Sequence, residues 1–96
     1  MTGHSKISSA SRPRLAPHRR LQFDIARAGW TIQAPERVFL LDDPGHAITS
    51  RCNGENTIAD IVDQLCDAYP DAPREAIFTD VIALVHDFVG KGVMLP

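Results

Sequence analysis

Apolar and polar residues alternate in the first half of the chain in the manner of β-strands. Residues 20–25 (RLQFDI) place every second residue on one apolar face, which is the period of a half-buried strand. Residues 30–34 (WTIQA) predict a second strand, and after a tight turn at 35–37 (PER) residues 38–41 (VFLL) predict a third. The last two strands form a hairpin, and because the third is apolar on both sides, we expect both of its faces to be covered.

A first helix is predicted to follow this hairpin. Asp43 can cap the free amides at the helix start, and Pro44 fits the first helical position because no hydrogen bond is needed there. Asn53 and Gly54 tolerate the left-handed conformation that often follows a helix. We therefore expect this helix to end near Cys52.

Two longer helices fill the rest of the chain. Residues 57–60 (TIAD) have the pattern of a capping box, and the third helix is predicted from about residue 74 to 89, before Gly90 and Gly92. The apolar stripe of the third helix comprises Ile77, Val81, Leu84, Val85 and Phe88, extended sideways by Phe78, Ile82 and Val89. Such a wide arc suits a helix packed on two neighbours, and equally a helix that lines a groove with one edge.

The order of three strands and then three helices predicts an α+β fold. A three-stranded antiparallel sheet followed by three helices has the parts of a winged helix-turn-helix domain, here with the strands first. We assign residues 20–96 to this domain. Residues 1–19, rich in Ser, Pro and Arg, are assigned to a flexible basic N-terminal arm.

Charge is divided between the arm and the domain. The arm and Arg20 contain five basic residues and no acid, whereas all twelve acidic residues lie from Asp24 onward. A basic arm on an acidic body suits nucleic acid or an acidic partner protein, although a plain disordered leader has the same composition. The second predicted helix carries Asp60, Asp63 and Asp67 and no basic residue, so a winged-helix DNA-binding protein is the weaker alternative.

The motifs of catalysis and metal binding are absent from the sequence. It contains no phosphate-binding glycine loop, no HExxH, no GxSxG and no CxxC, and its four histidines are scattered. Cys52 and Cys66 lie in predicted helices, where thiols commonly serve packing. We expect no catalytic residue, metal or cofactor, and hence no enzyme. The absence of a signal peptide and of a membrane-spanning run predicts a cytoplasmic protein.

Several short motifs together resemble those of one known family. They are residues 20–23 (RLQF), 34–36 (APE), 38–42 (VFLLD), 52–54 (CNG) and 57–62 (TIADIV). Over residues 15–94 the chain resembles pyrroloquinoline quinone (PQQ) biosynthesis protein D, the PqqD family. The most specific part is the Cys-x-Gly block and the Thr-Ile block that follows it, at a fixed distance from Leu41.

The resemblance implies a RiPP recognition element, a winged-helix-like module that binds a ribosomally made precursor peptide. In this family the peptide is PqqA, and the module acts as a peptide chaperone that presents PqqA to the radical SAM enzyme PqqE. Family members take up the peptide as an added strand beside the third strand, in the cleft against the last helix. The corresponding positions of this chain are Arg37, Val38, Phe39, Leu40, Leu41, Phe78, Ile82 and Val85.

Two further expectations concern partners of the domain. Asn53 and Gly54 are interpreted first as a helix cap and second as a contact with PqqE. The apolar third strand has an edge that could pair with a second copy of the chain. A self-associating protein such as a homodimer is therefore the main alternative to a peptide carrier.

Overall fold

The strand patterns of the sequence form two antiparallel sheets in the computed structural model, which describes residues 7–96. The strands are β1 (Arg14–Leu15), β2 (Arg20–Asp24), β3 (Gly29–Gln33), β4 (Val38–Leu40) and β5 (Met94–Leu95). The helices are α1 (Asp43–Thr49), α2 (Ile58–Ala68) and α3 (Arg74–Gly90). The predicted fold class is confirmed, because β2, β3 and β4 make one three-stranded sheet and the three helices follow it.

The three-stranded sheet has the order β2-β3-β4, which makes β3 central and β4 an edge. Leu21 lies opposite Ile32, and Ile32 lies opposite Phe39, so these three share the face that packs on the helices. Ile32 has no exposed surface, and its two neighbours are partly buried. Phe23 and Ile25, which the alternation places on the same face as Leu21, are 46% and 86% exposed. Of that run, only Leu21 packs on the core.

The N-terminal cap of α1 lies one residue earlier than predicted. The Asp42 carboxylate accepts a hydrogen bond from the Gly45 amide at 2.8 Å, so Asp42 is the cap and Asp43 is the first helical residue. Pro44 then occupies the first turn, where its missing N–H leaves no carbonyl unpaired. The Asp42 cap fixes the direction in which the chain leaves β4.

The end of α1 also differs from the prediction. The helix ends at Thr49 rather than near Cys52, because the amides of Arg51 and Cys52 bond to carbonyls three residues back instead of four. Gly54 has the expected left-handed conformation, with φ of 81°, but it lies in the loop before α2. Asn53 and Gly54 are therefore not the C-terminal cap of α1.

The capping box at the start of α2 is confirmed. The Thr57 hydroxyl accepts a hydrogen bond from the Asp60 amide at 3.0 Å, and the Asp60 carboxylate accepts one from the Thr57 amide at 2.9 Å. The hydrogen bond from the Thr57 amide, and to a smaller extent the Thr57 side chain, lower the pKa of the Asp60 carboxyl group. The reciprocal pair satisfies two backbone donors and sets where α2 begins.

One apolar core joins the sheet to all three helices. Ile32 contributes from β3, and α1 contributes Ala47 and Ile48. Its other members come from the loop after α1, from the longer helices and from the C-terminal segment, and they are Cys52, Ile58, Ile61, Val62, Leu65, Ile77, Val81, Val85, Phe88, Val93 and Met94. The stripes that helical periodicity predicts on α2 and α3 are therefore largely the ones that face the core.

The segment before β2 packs on the domain instead of extending from it. Its strand β1 pairs antiparallel with β5, and Pro13 is fully buried. The carbonyls of Ser9 and Ser11 accept hydrogen bonds from the first amides of α2, at 3.0 and 2.9 Å. The expectation of a flexible arm up to residue 19 does not describe this segment, because its backbone carbonyls satisfy donors of the folded domain. Residues 1–6 lie outside the described residues.

Removing residues 1–16 tests where the folded domain starts. Loss of Pro13, of the β1–β5 pairing and of the carbonyls at the start of α2 is expected to lower the free energy of unfolding by about 2–4 kcal/mol. Urea unfolding followed by circular dichroism measures this change. Removal of residues 1–6 alone is the control, with an unchanged midpoint expected. Equal midpoints for the two truncations would instead support a domain that begins at residue 20.

Candidate functional site

Strand β4 has one edge that pairs with no other strand within residues 7–96. Its other edge is bonded to β3 through Leu41 N to Trp30 O at 3.0 Å and Ala34 N to Arg37 O at 2.9 Å. Hydrogen bonding alternates along an antiparallel strand, so Phe39 directs its backbone groups to β3, and Val38 and Leu40 direct theirs outward. The free edge therefore offers unpaired amides and carbonyls at two positions.

Strand β4 and helix α3 run in opposite directions beside each other. The Phe39 ring meets the Phe88 ring edge-on, with centroids 6.0 Å apart, near the end of α3. Phe39 also shares a pocket with Lys91. Beyond the other end of β4, Asp43 shares a second pocket with Asp80 in the first half of α3. A cleft thus follows the length of β4, with α3 as its second wall.

The flanks of α3 differ in how they lie relative to β4. Asp80, Leu84, Asp87 and Lys91 recur at helical spacing. Asp80 lines the pocket beyond the end of β4, and Lys91, just after α3, lines the pocket at its start, so we assign this stripe to the side of β4. Phe78 and Ile82 lie roughly 120–160° around the helix axis from Leu84, at about 100° per residue. Val89 belongs to their side of the helix, and it lines a third pocket at the end of α3 with Ile7, His86, Asp87, Gly90 and Lys91. Phe78 and Ile82 therefore lie on another flank of α3 from this stripe, and neither lines the pockets at the two ends of β4.

The other residues predicted to bind the peptide fall into three groups according to their burial. Val85 is fully buried in the core, so it supports the cleft without lining it. Phe39 and Leu41 are partly buried on the core side of the sheet. Val38 and Leu40 are 42% and 68% exposed on the opposite face of the sheet. Of the third strand, only Phe39 and Leu41 turn their side chains toward α3, while the other two contribute backbone groups at the edge.

The cleft ends in two pockets of different chemistry. The pocket at the start of β4, about 310 Å³, is lined by Arg19, Ala34, Pro35, Glu36, Arg37, Phe39, Lys91 and Val93. The pocket beyond its end, about 220 Å³, is lined by Asp43, Pro44, Ala47, Ile48, Leu65, Tyr69, Ala72, Ile77 and Asp80. The first contains three cationic side chains and one acid. The second is largely apolar, with two acids and no cation.

Asn53 and Gly54 both have a structural role in the loop between α1 and α2. The Asn53 side-chain carbonyl accepts hydrogen bonds from the amides of Glu55 and Asn56, each at 2.9 Å. The Gly54 amide donates to the carbonyl of Pro13 at 3.0 Å. A Cβ at position 54 would lie 3.3 Å from the Arg14 side chain, and φ there is 81°. The loop therefore requires glycine at this position.

The two cysteines have the packing role expected of them. Cys52 is buried, and its thiol donates to the Ile48 carbonyl at 3.3 Å. Burial raises the pKa of the Cys52 thiol to about 12, so it stays protonated near neutral pH. Cys66 is partly buried and lies 3.8 Å from an Arg74 nitrogen. Within residues 7–96 no three His, Cys, Asp or Glu side chains are grouped as a metal site.

Two features of the helices bear on DNA binding and on the expectation that no segment spans a membrane. Asp60, Asp63 and Asp67 are exposed along α2, so the helix that follows the capping box presents a negative face. In the part of the chain that the structure describes, no helix has the length and apolar character needed to span a bilayer.

Known proteins share both the sequence and the fold of this chain. The family described as Coenzyme PQQ synthesis protein D (PqqD) matches residues 29–94. A protein of Bradyrhizobium diazoefficiens named PqqA binding protein is 46% identical over 91 residues, which cover 95% of this chain and 87% of that protein.

Two solved structures superpose well on the chain. One is the solution NMR structure of the PqqD truncation of Methylobacterium extorquens PqqCD, described as a functional and stand-alone RiPP recognition element. It has a TM-score of 0.82 and 32% identity, covering 99% of this chain and 100% of that one. The other is lasso peptide synthetase B1 complexed with the leader peptide, whose TM-score of 0.74 at 22% identity indicates a shared fold. It covers 90% of this chain and 100% of that chain. From its sequence and its fold, the chain belongs to the PqqD family of PQQ synthesis proteins.

Proposed function

We propose that the protein binds the precursor peptide PqqA along the free edge of β4 and presents it to the radical SAM enzyme PqqE. The observation that carries this proposal is the unpaired edge of β4 beside a partly apolar cleft. Relatives that align over nearly the whole chain are named PqqA binding protein, which supports the choice of peptide.

The edge and the cleft supply different parts of peptide binding. An added strand bonds to the outward amides and carbonyls of Val38 and Leu40, which gives affinity with little dependence on sequence. Side chains of the peptide that alternate toward α3 then meet Phe39, Leu41 and Leu84 in the cleft. Apolar contacts there favour one register over another, so peptide selection depends on the wall formed by α3.

The residues that line the two pockets support a carrier that performs no chemistry. They include no serine, cysteine or histidine, so the side chains of a serine or cysteine nucleophile with its histidine base are not among them. Asp87, on the same stripe of α3, is paired with Lys91 at 3.0 Å, and both are about half exposed. The proposed role of the protein is therefore to position the peptide, with the reaction left to PqqE.

Self-association is the alternative that a specific observation favours. Leu40 is 68% exposed and Val38 is 42% exposed, next to the edge that could pair with a second copy. Sedimentation over a concentration series, with and without PqqA, separates the two functions. A tight dimer whose mass ignores the peptide would contradict the carrier function, whereas a monomer that binds one peptide supports it.

Substitution of Leu40 by proline tests the β4 edge. Proline removes the amide that points outward and leaves the hydrogen bonds to β3 intact, so the fold should be retained. The affinity for PqqA, measured by calorimetry, should fall about tenfold because one hydrogen bond is lost and the ring blocks the edge. Leu40→Ala is the control for the side chain and keeps the amide. Equal affinity of Leu40→Pro and Leu40→Ala would place the peptide elsewhere.

A matched pair on α3 tests which flank of the helix lines the cleft. Leu84 and Ile82 are both partly buried, so replacement of each by glutamine should cost similar stability. We expect Leu84→Gln to weaken PqqA binding roughly tenfold, because an apolar contact is lost. Ile82→Gln should stay within about twofold of the original protein. The opposite order of effects would return the site to the Phe78 and Ile82 side of the helix.

The loop at Asn53 and Gly54 is proposed as a docking surface for PqqE. Asn53→Ala should weaken PqqE binding roughly five- to tenfold while helix content and PqqA affinity are retained. Asn53→Asp keeps the acceptor for the two loop amides and should bind PqqE normally. Binding is measured by calorimetry and helix content by circular dichroism. If Asn53→Ala loses stability in step with PqqE binding, the residue serves the loop alone.

A further inference from the structure

The pocket at the start of β4 contains most of the positive charge near the cleft. Arg19, Arg37 and Lys91 line it together with a single acid, Glu36. This concentration is unusual for a domain whose acidic residues outnumber its basic ones from Asp24 onward. A positive pocket at one end of a peptide cleft is a natural site for a negatively charged group.

Arg19 lines this pocket and has a buried donor that no residue of the described chain satisfies. Its Nη1 donates to the Pro17 carbonyl at 2.7 Å, which holds the guanidinium in place. Its Nε atom is buried and has no hydrogen-bond partner. A buried N–H of a charged group without an acceptor is unfavourable, so an arriving oxygen atom would gain a charge-assisted hydrogen bond there.

Arg37 is arranged to meet the same ligand. Its guanidinium carbon lies over the Phe39 ring, 4.6 Å from the ring centre, in a cation–π contact. A guanidinium has five N–H donors, so this contact leaves donors for an anion. Lys91 adds a third positive charge, although Asp87 already pairs with it at 3.0 Å. The two arginines are therefore the main candidates for contact with an anion.

The other end of the cleft has the opposite charge. Asp43 and Asp80 line the apolar pocket beyond β4, and no lysine or arginine lines that pocket. A carboxylate is attracted at the start of β4 and repelled beyond its end. The cleft therefore distinguishes the two ends of a peptide by charge.

We propose that the Arg19 and Arg37 pocket binds the carboxylate of an aspartate or glutamate side chain of the bound peptide. This inference rests on the proposed function and adds the register of the peptide to it. The backbone groups of β4 accept any sequence, and a strand can slip by two residues without losing its hydrogen bonds. A carboxylate fixed beside Arg19 removes that freedom.

A double-mutant cycle between the protein and PqqA tests the pocket. Arg19→Gln and Arg37→Gln are titrated by calorimetry with PqqA and with PqqA variants in which each acidic residue is replaced singly by its amide. Each arginine variant should bind PqqA about three- to tenfold more weakly, since the pair is partly exposed. One amide substitution should cause the same loss in the original protein and no further loss in the arginine variants. This loss should shrink at high salt.

Arg20→Gln is the matched control. Arg20 lies next to Arg19 in the chain, but its guanidinium donates to the Gln22 side chain at 3.0 Å and does not line the pocket. Its removal changes the net charge equally and should leave the affinity for PqqA unchanged. An equal loss in Arg20→Gln would reduce the effect to general electrostatic attraction and overturn the proposed pocket.

Two other results would also overturn the proposal. One is an affinity of Arg19→Gln and Arg37→Gln equal to that of the original protein. The other is a double-mutant cycle in which the losses of binding free energy from the arginine variant and from the peptide substitution are additive at every acidic position. In both cases PqqA still binds, so the proposed function stands while the pocket fails. If the original protein does not bind PqqA at all, both proposals fail together. Because Arg37 is exposed, its variant gives a decisive result even if Arg19→Gln is less stable.

Discussion

The packing of β4 on α3 is the constraint from which the cleft follows. Phe39 places its ring against Phe88, which is buried in the core. Because side chains alternate along a strand, turning Phe39 inward turns Val38 and Leu40 outward. The same register gives Phe39 the hydrogen bonds to β3 and leaves the backbone groups of its neighbours at the free edge. The inward position of Phe39 and the outward amides of Val38 and Leu40 are therefore two results of one register.

Local sequence signals predicted the elements of this fold well. The capping box at Thr57 and Asp60 acts through bonds within one helical turn, so it depends on nothing distant in the chain. The strand at 20–24 and the apolar stripe of α3 follow from the spacing of apolar residues along the chain. This spacing is set by the geometry of a strand or a helix and does not depend on which neighbour the element packs against. Errors of one to three residues arose at α1, where Asp42 and Asp43 are both able to cap and a tight turn follows Thr49.

The parts that the sequence did not predict depend on contacts between distant segments. Strands β1 and β5 have two residues each, too few for a period, and the segment before β2 is held by backbone carbonyls that any residue supplies. The apolar arc of α3 contains both Leu84 and Ile82, and periodicity ranks neither flank above the other. Only the pockets that Asp80 and Lys91 share with the two ends of β4 favour one flank over the other. The Arg19 pocket was missed because Arg19 belongs to a segment assigned to a flexible arm.

The wide arc of α3 is explained by its three neighbours. Its centre packs on the core through Val81 and Val85, its C-terminal end shares a pocket with Ile7 of the N-terminal segment, and the flank that begins at Asp80 is assigned to the side of β4. The two interpretations of the arc, a helix packed on two neighbours and a helix that lines a groove with one edge, therefore each describe part of α3. This division also separates folding from recognition. Core residues hold α3 in place, so the residues of the β4 flank are free to differ in charge along the helix, from Asp80 to Lys91. A strand added to β4 forms the same backbone bonds in every register, and so the information that selects one register has to come from that flank and from the pockets at its ends.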